Sequence, residues 1–154
     1  MSTPSQRFLE LGLELPVAAA PAFDYVPVTV HGDLMFVSGQ LPKEGSGVKI
    51  TGTLGTDLDL ESARRAAEIC VLQGLACAAE HLGDLNRVLR VLRVTGYVAS
   101  APDFHEQPRV INAASELLGR IFGEQGHHAR SAVGVASLPR MSPVEVEMIL
   151  VVRP

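Results

Sequence analysis

The sequence contains no tryptophan and only two cysteines, Cys70 and Cys77. A disulfide scaffold or a zinc ribbon needs more thiols than these two residues supply. The cysteines are seven residues apart in an apolar helical pattern, and two positions so spaced on one helix do not meet the geometry of a disulfide. We therefore expect both to be buried free thiols.

Long apolar runs are also missing, because no stretch of about 18 consecutive apolar residues occurs in the chain. Met1 to Gln6 is polar and contains Pro4, so no basic region leads into an apolar segment of the kind that marks a secretory signal. These features predict a cytoplasmic protein without a membrane partner.

Basic residues are in the minority, with 13 Lys and Arg against 17 Asp and Glu and a net charge of -4. Such a chain has no net attraction for phosphate, and few aromatic side chains are present to stack on bases. Arg87, Arg90 and Arg93 would align on a helix, but on a strand of period two Arg90 faces away from the other two. We expect no nucleic acid partner.

Sequence motifs for metals and cofactors are absent. The five histidines do not have the H-E-x-x-H spacing, and the glycines between residues 45 and 55 match neither a dinucleotide-binding fingerprint nor a P-loop. No G-x-S-x-G segment occurs either. The sequence therefore predicts no metal site and no cofactor.

The remaining patterns predict one α+β domain over residues 24–154, preceded by an N-terminal extension over residues 1–23 that holds a short helix at 4–11. Strands are predicted at 25–30, 34–37, 89–98, 130–136 and 144–152, with a possible further strand at 48–50. Long helices are predicted at 60–82 and 104–122, both packed on one face of the sheet. The first carries an inner stripe of small side chains at positions 63, 67, 70, 74 and 77.

Two charged residues stand at the starts of the last two predicted strands. Arg130 opens one strand, and Glu145 alternates with valines at the beginning of the other. The pattern alone is compatible with surface roles for both residues, in which Arg130 pairs with a carboxylate and Glu145 faces solvent together with Glu147.

Three segments carry a more specific signal: GDLMFVSGQLP at 32–42, ARSAVGVASLP at 129–139 and VEVE at 144–147. Their combination resembles the YjgF/RidA family, the reactive intermediate deaminases, over roughly residues 24–153. The resemblance implies a chorismate-mutase-like α+β fold, in which two long helices pack on one face of a mixed β-sheet, and a homotrimer with ligand clefts between subunits. It further implies hydrolysis of enamines and 2-imino acids, such as 2-iminopropanoate or 2-iminobutanoate, to 2-keto acids and ammonia without a cofactor.

The same resemblance assigns site residues. Arg130 would bind the substrate carboxylate, and Glu145 would act on the attacking water. The other residues at family pocket positions are Tyr25, Ser38, Gly39, Asn112 and Ala132.

The sequence departs from the family pattern around the arginine. His128 replaces a frequent proline, Ala132 a frequent cysteine and Gly134 a frequent acidic residue. Thiol chemistry at position 132 is thereby excluded. Solvent-exposed or structural roles are favoured for His127 and His128, with tuning of the arginine as the alternative.

If the last two strands formed an antiparallel hairpin, Arg130 and Glu145 would lie near opposite ends, roughly 20 Å apart. Either the site then combines two subunits, or the strands are not hairpin neighbours. The principal alternative function is a non-catalytic trimer that binds or senses a small carboxylate through Arg130. A ribonuclease activity would predict steep salt dependence, which the acidic composition disfavours.

Overall fold

Five strands form the main sheet of the computed structural model, which describes residues 1–154. In chain order the elements are α1 (Pro4–Glu10), β1 (Val28–His31), β2 (Leu34–Gln40), β3 (Lys43–Glu44), β4 (Gly47–Val48), α2 (Leu60–Leu82), β5 (Val88–Ala99), α3 (Gln107–Phe122), β6 (Ala129–Val135) and β7 (Val144–Val152). The spatial order is β1-β2-β7-β5-β6, with only β5 and β6 parallel. The predicted mixed sheet is confirmed, as is the α+β class.

Helix α2 has the bounds that the sequence predicts. The Asp59 side chain accepts a hydrogen bond from the Ser62 N–H at the N-terminus, and Gly83 ends the helix in the left-handed conformation. At Gly74 a side chain would overlap the end of Met148, so the glycine allows close contact with β7. The stripe of small residues is buried as predicted, and both cysteines are free and buried.

Helix α3 begins later than predicted, at Gln107 instead of residue 104. Pro108 is in its first turn, where the missing N–H costs no hydrogen bond. A side chain at Gly96 of β5 would overlap Ile111, so α3 also lies close to the sheet. Together α2 and α3 cover one face, and the other face is called the open face below.

The first predicted strand is too long at its beginning, because β1 starts at Val28 and Tyr25 lies in a bend. The possible strand at 48–50 also has other bounds in the structure. Lys43–Glu44 and Gly47–Val48 pair as a small hairpin that is separate from the main sheet.

Strand β5 lies between β6 and β7, so these two strands are not a hairpin. Arg130 is in register with Val94 of β5, whereas Glu145 is in register with Tyr97. Of the two alternatives left open by the sequence, the strands are therefore not hairpin neighbours. The long connection from β6 returns the chain to the far side of β5.

Two register shifts in β5 alter the predicted orientation of its arginines. The shifts lie between Val88 and Arg90 and between Val91 and Arg93. Arg90 is thus in register with Val151 and Arg93 with Ile149, which share one face of β7. The prediction that Arg90 and Arg93 face opposite ways is wrong. An extra residue of β5 between them shifts the alternation of side chains, so both arginines face the same side of the sheet.

The N-terminal segment packs against the rest of the chain. Thr3 caps α1, and Phe8 is buried in the main hydrophobic core. The Ser5 N–H donates to Oδ1 of Asn86 at 3.0 Å.

None of the helices combines the length and apolar character that a membrane span requires.

Candidate functional site

Glu145 lies at the beginning of β7 and is half-buried. Its neighbours Val144 and Val146 point into the core, so the Glu145 side chain lies on the open face. Burial raises the pKa of Glu145, and the nearby negative charge of Glu147 raises the pKa further. A carboxylate with a raised pKa is a better proton acceptor when ionised than an ordinary surface glutamate.

Gly39 provides the space that the Glu145 carboxylate occupies. The pairing of β2 with β7 shifts between Val37 and Gln40, so that Ser38 and Gly39 of β2 together lie opposite one residue of β7, Glu147. A Cβ atom at Gly39 would overlap Oε1 of Glu145. The bulge and the missing side chain together allow the carboxylate to lie against the β2 backbone.

A cavity of about 250 Å³ adjoins this carboxylate and is called the Glu145 cavity. Tyr25 and Gly39 line it together with Glu145, so three of the predicted site residues come together here. The other lining residues are Ala19, Ala22, Phe23, Pro27, Gln40, Leu41, Lys43, Pro139 and Arg140.

Ser38 supports this cavity from outside. Its hydroxyl donates to the Val26 carbonyl at 2.8 Å, which fixes the backbone next to Tyr25. Ser38 itself lines a neighbouring depression of about 390 Å³ on the open face, with Arg93 and Glu147. The Glu147 carboxylate accepts a hydrogen bond from the Tyr97 hydroxyl at 3.0 Å.

Arg130 lies on the opposite side of the sheet, facing α3. Its Nη1 donates to Oδ1 of Asn112 at 3.2 Å and to Oγ of Ser115 at 3.1 Å. Both acceptors are neutral, and no carboxylate lies within 4.0 Å of the guanidinium. The guanidinium is therefore positioned while its charge remains available to an anion.

His128 continues this network. Its Nδ1 is 2.6 Å from the Gly126 carbonyl, which can only accept, so Nδ1 carries the proton. Its Nε2, 2.9 Å from Oγ of Ser115, then accepts the hydroxyl proton, which leaves Oγ free to accept from Arg130. Burial lowers the pKa of His128, and the charge of Arg130 also lowers it, so the neutral form is favoured.

The Arg130 network adjoins a depression of about 190 Å³, lined by Ser115, Gly119, Gly126, His127, His128 and Arg130. Asn112 belongs to this side of the molecule through its bond to Arg130. Ala132 does not line either cavity. It is in register with Gly96 and packs against the core.

The predicted site residues therefore form two groups. Tyr25, Gly39 and Glu145 meet on the open side, and Arg130 and Asn112 meet beside α3. Two strand spacings and three residues of offset separate the Arg130 and Glu145 backbones by on the order of 14 Å. Since the two side chains also lie on opposite faces, one chain does not bring them into a single cavity.

Sequence reasoning missed three residues around these groups. Ser115 holds Arg130, and Lys43 and Arg140 line the Glu145 cavity. His128, for which the sequence favours a solvent-exposed or structural role, has a structural one through its contacts with Ser115 and Gly126. No three His, Cys, Asp or Glu side chains are grouped so that they could hold a metal ion.

Comparison with known proteins defines the class to which this fold and site belong. Residues 5–150 match the family model described as "YjgF/chorismate_mutase-like, putative endoribonuclease". The chain is 47% identical to Protein TCP17 of Trypanosoma cruzi over 141 residues, which is 91% of this chain and 88% of that protein. It belongs to the YjgF/RidA family.

Solved structures show the same relationship. Protein Atu1372 of Agrobacterium tumefaciens, described as of unknown function, has a TM-score of 0.90 at 48% identity, covering 97% of this chain and 92% of that one. A "putative endoribonuclease" from Shewanella oneidensis has a TM-score of 0.93 at 30% identity, covering 98% and 100%. The YjgF gene product of E. coli has a TM-score of 0.59 at 25% identity, covering 90% and 98%.

Proposed function

We propose that this protein hydrolyses small 2-imino acids, and the enamines that tautomerise to them, to 2-keto acids and ammonia without a cofactor. The observation that carries the proposal is the state of Arg130. Its guanidinium is held by two neutral oxygens, has no carboxylate partner and adjoins a cavity. An arginine in this state is suited to bind the carboxylate of an organic acid.

The binding step follows from the shape of the guanidinium. Nη1 is occupied by Asn112 and Ser115, which leaves other N–H groups for the substrate carboxylate. Because the arginine is already ordered, less rotamer freedom is lost when the substrate binds.

The chemical step requires a water molecule and a proton acceptor. Water attacks C2 of the imine while Glu145 accepts one of its protons, and this proton passes to the nitrogen to give a carbinolamine. The remaining proton of the former water then moves from the C2 hydroxyl to the nitrogen as the C2–N bond breaks and the C2 carbonyl forms. Ammonia and the 2-keto acid leave. The raised pKa of Glu145 favours this role, and general base catalysis of this kind contributes about 10²- to 10⁴-fold.

The separation of the two groups leads to a proposal about assembly. We place the active site between two subunits of a homotrimer, with Arg130 from one subunit and Glu145 from the next. A cyclic trimer then has three identical sites, each with one copy of both groups. Arg130 lies on the edge strand β6, which is accessible to a neighbouring subunit.

The experiment is an imine-hydrolysis assay. A threonine dehydratase generates 2-iminobutanoate, and formation of the keto acid is followed with and without this protein. We expect Arg130→Ala to remove most of the acceleration, whereas Arg120→Ala, an exposed arginine on α3, retains it. Equal rates with and without the wild-type protein would contradict the proposal.

A second candidate function is a non-catalytic trimer that binds a small carboxylate. The observation that favours it is the absence of Glu145 from the Arg130 depression within one chain. This candidate predicts that wild-type protein binds 2-oxobutanoate, with the affinity lost in Arg130→Ala, yet does not accelerate imine hydrolysis.

A further inference from the structure

Two basic side chains line the Glu145 cavity without an acidic partner. Lys43 lies at the start of β3, and Arg140 lies in the connection between β6 and β7. No Asp or Glu oxygen lies within 4.0 Å of either charged group. Glu145 is the only acid among the lining residues, so two cations face one carboxylate.

The backbone and a hydrogen bond fix the position of Arg140. Arg140 has φ 57° and ψ 29°, and Met141 has φ 58°, which is a left-handed conformation that costs free energy in residues other than glycine. Nη1 of Arg140 donates to the Ser46 carbonyl at 2.9 Å, in the turn between β3 and β4. The guanidinium is thus tied across the cavity edge, with further N–H groups left over.

The backbone of Lys43 is fixed by a buried side chain. Nε2 of Gln73, on helix α2, donates to the Lys43 carbonyl at 3.0 Å, and Gln73 is only 3% exposed. The Lys43 ammonium has no hydrogen-bond acceptor within the chain. Its charge is therefore free for a ligand, while the point from which the side chain extends is held in place.

There is room for a longer ligand beyond these two cations. Lys43 and Arg140 also border a second cavity of about 870 Å³ between the N-terminal segment and α2. Ala19 and Ala22 line both cavities, so part of the wall around the two cations is apolar, while Glu14 and Glu44 also line the larger cavity. Charge interactions are stronger next to such walls than in open water.

We propose that Lys43 and Arg140 bind the distal carboxylate of a 2-imino dicarboxylic acid whose imine carbon lies beside Glu145. The inference rests on the proposed function, in which Arg130 of a neighbouring subunit binds the carboxylate next to the imine. The reaction stays balanced without an oxidant: water adds to C2, the C2–N bond breaks, and ammonia and a 2-keto dicarboxylate are released. An imine with an uncharged side chain leaves both cations unpaired and is the poorer substrate.

The test compares two imines in one assay. A glutamate oxidase generates 2-iminoglutarate, an amino acid oxidase generates 2-iminopentanoate from norvaline, and the loss of imine is measured by competition with semicarbazide. We expect wild-type kcat/KM to favour 2-iminoglutarate by about tenfold or more, as charge-assisted hydrogen bonds would give. In Lys43→Gln/Arg140→Gln this ratio falls by at least about tenfold.

Lys49→Gln is the matched control. Lys49 pairs with Glu44 at 3.2 Å and borders the larger cavity but not the Glu145 cavity, so the ratio should stay at the wild-type value. An unchanged ratio in the double variant would overturn the inference. Acceleration of the norvaline-derived imine alone by the wild type would overturn it too, and would leave the proposed function intact.

Calorimetry with the product keto acids separates binding from turnover. We expect 2-oxoglutarate to bind the wild type more tightly than 2-oxopentanoate, with the difference lost in the double variant. Equal affinities in the wild type would overturn the anion subsite. If neither imine is hydrolysed faster than in buffer, the proposed function fails, and the assignment of the substrate class fails with it.

Discussion

Gly39 of β2 and Glu145 of β7 occupy complementary space: the carboxylate of Glu145 lies where a side chain of residue 39 would be. Gly39 belongs to the bulge in the β2–β7 pairing, opposite Glu147. The glycine therefore sets the position of the candidate catalytic carboxylate, although it contributes no side-chain chemistry itself.

The first prediction concerns this pair. Gly39→Ala should displace the Glu145 carboxylate and reduce the acceleration of imine hydrolysis by about 10²-fold, the order expected when a general base is lost. Gly47→Ala is the control, because a Cβ atom there meets no neighbouring atom. Full activity of a folded Gly39→Ala variant would contradict the assigned role of Glu145.

The second prediction concerns the pH profile. Glu145 must be ionised to accept a proton, so the rate falls as the pH drops through its pKa, which burial and the charge of Glu147 raise above the usual range of a glutamate. Glu147→Gln removes the neighbouring negative charge and should shift this acid limb to lower pH. Glu10→Gln, at the exposed end of α1, should leave the limb in place. The measurement is the enzyme-dependent rate against pH, after subtraction of spontaneous hydrolysis.

A third prediction tests the support of Arg130. Ser115→Ala removes the hydroxyl that links Arg130 to His128, and it should weaken binding of 2-oxobutanoate about three- to tenfold, as the loss of one hydrogen bond would give. Ser115→Thr keeps a hydroxyl and should restore affinity. Unchanged affinity in Ser115→Ala, measured by calorimetry, would argue against a positioning role.

The fourth prediction addresses the shared site. Arg130→Ala and Glu145→Gln should each be inactive alone, but refolding them together in equal amounts should restore about one quarter of the wild-type rate. A random trimer then contains sites that combine an intact Arg130 from one subunit with an intact Glu145 from the next. A mixture as inactive as its components would show that both residues act within one subunit.

The sequence by itself determined the elements whose signals are local. The alternation of residues 144–152 places Glu145 on the face of β7 opposite the buried valines, as the structure shows. The small residues of α2 are buried against the sheet as their helical spacing indicates. Such patterns depend only on the period of one element and on the removal of apolar side chains from water.

Tertiary structure decided how the elements meet. Nothing local in β6 and β7 shows that β5 lies between them, so the sequence left open whether the strands of Arg130 and Glu145 are hairpin neighbours. The bulge beside Gly39 depends on pairing between strands more than 100 positions apart in the chain. Likewise, Ser115 and Lys43 acquire their roles only through contacts with distant residues. Long-range pairing and packing select among arrangements that share the same local patterns. For that reason no single stretch of sequence shows which arrangement forms.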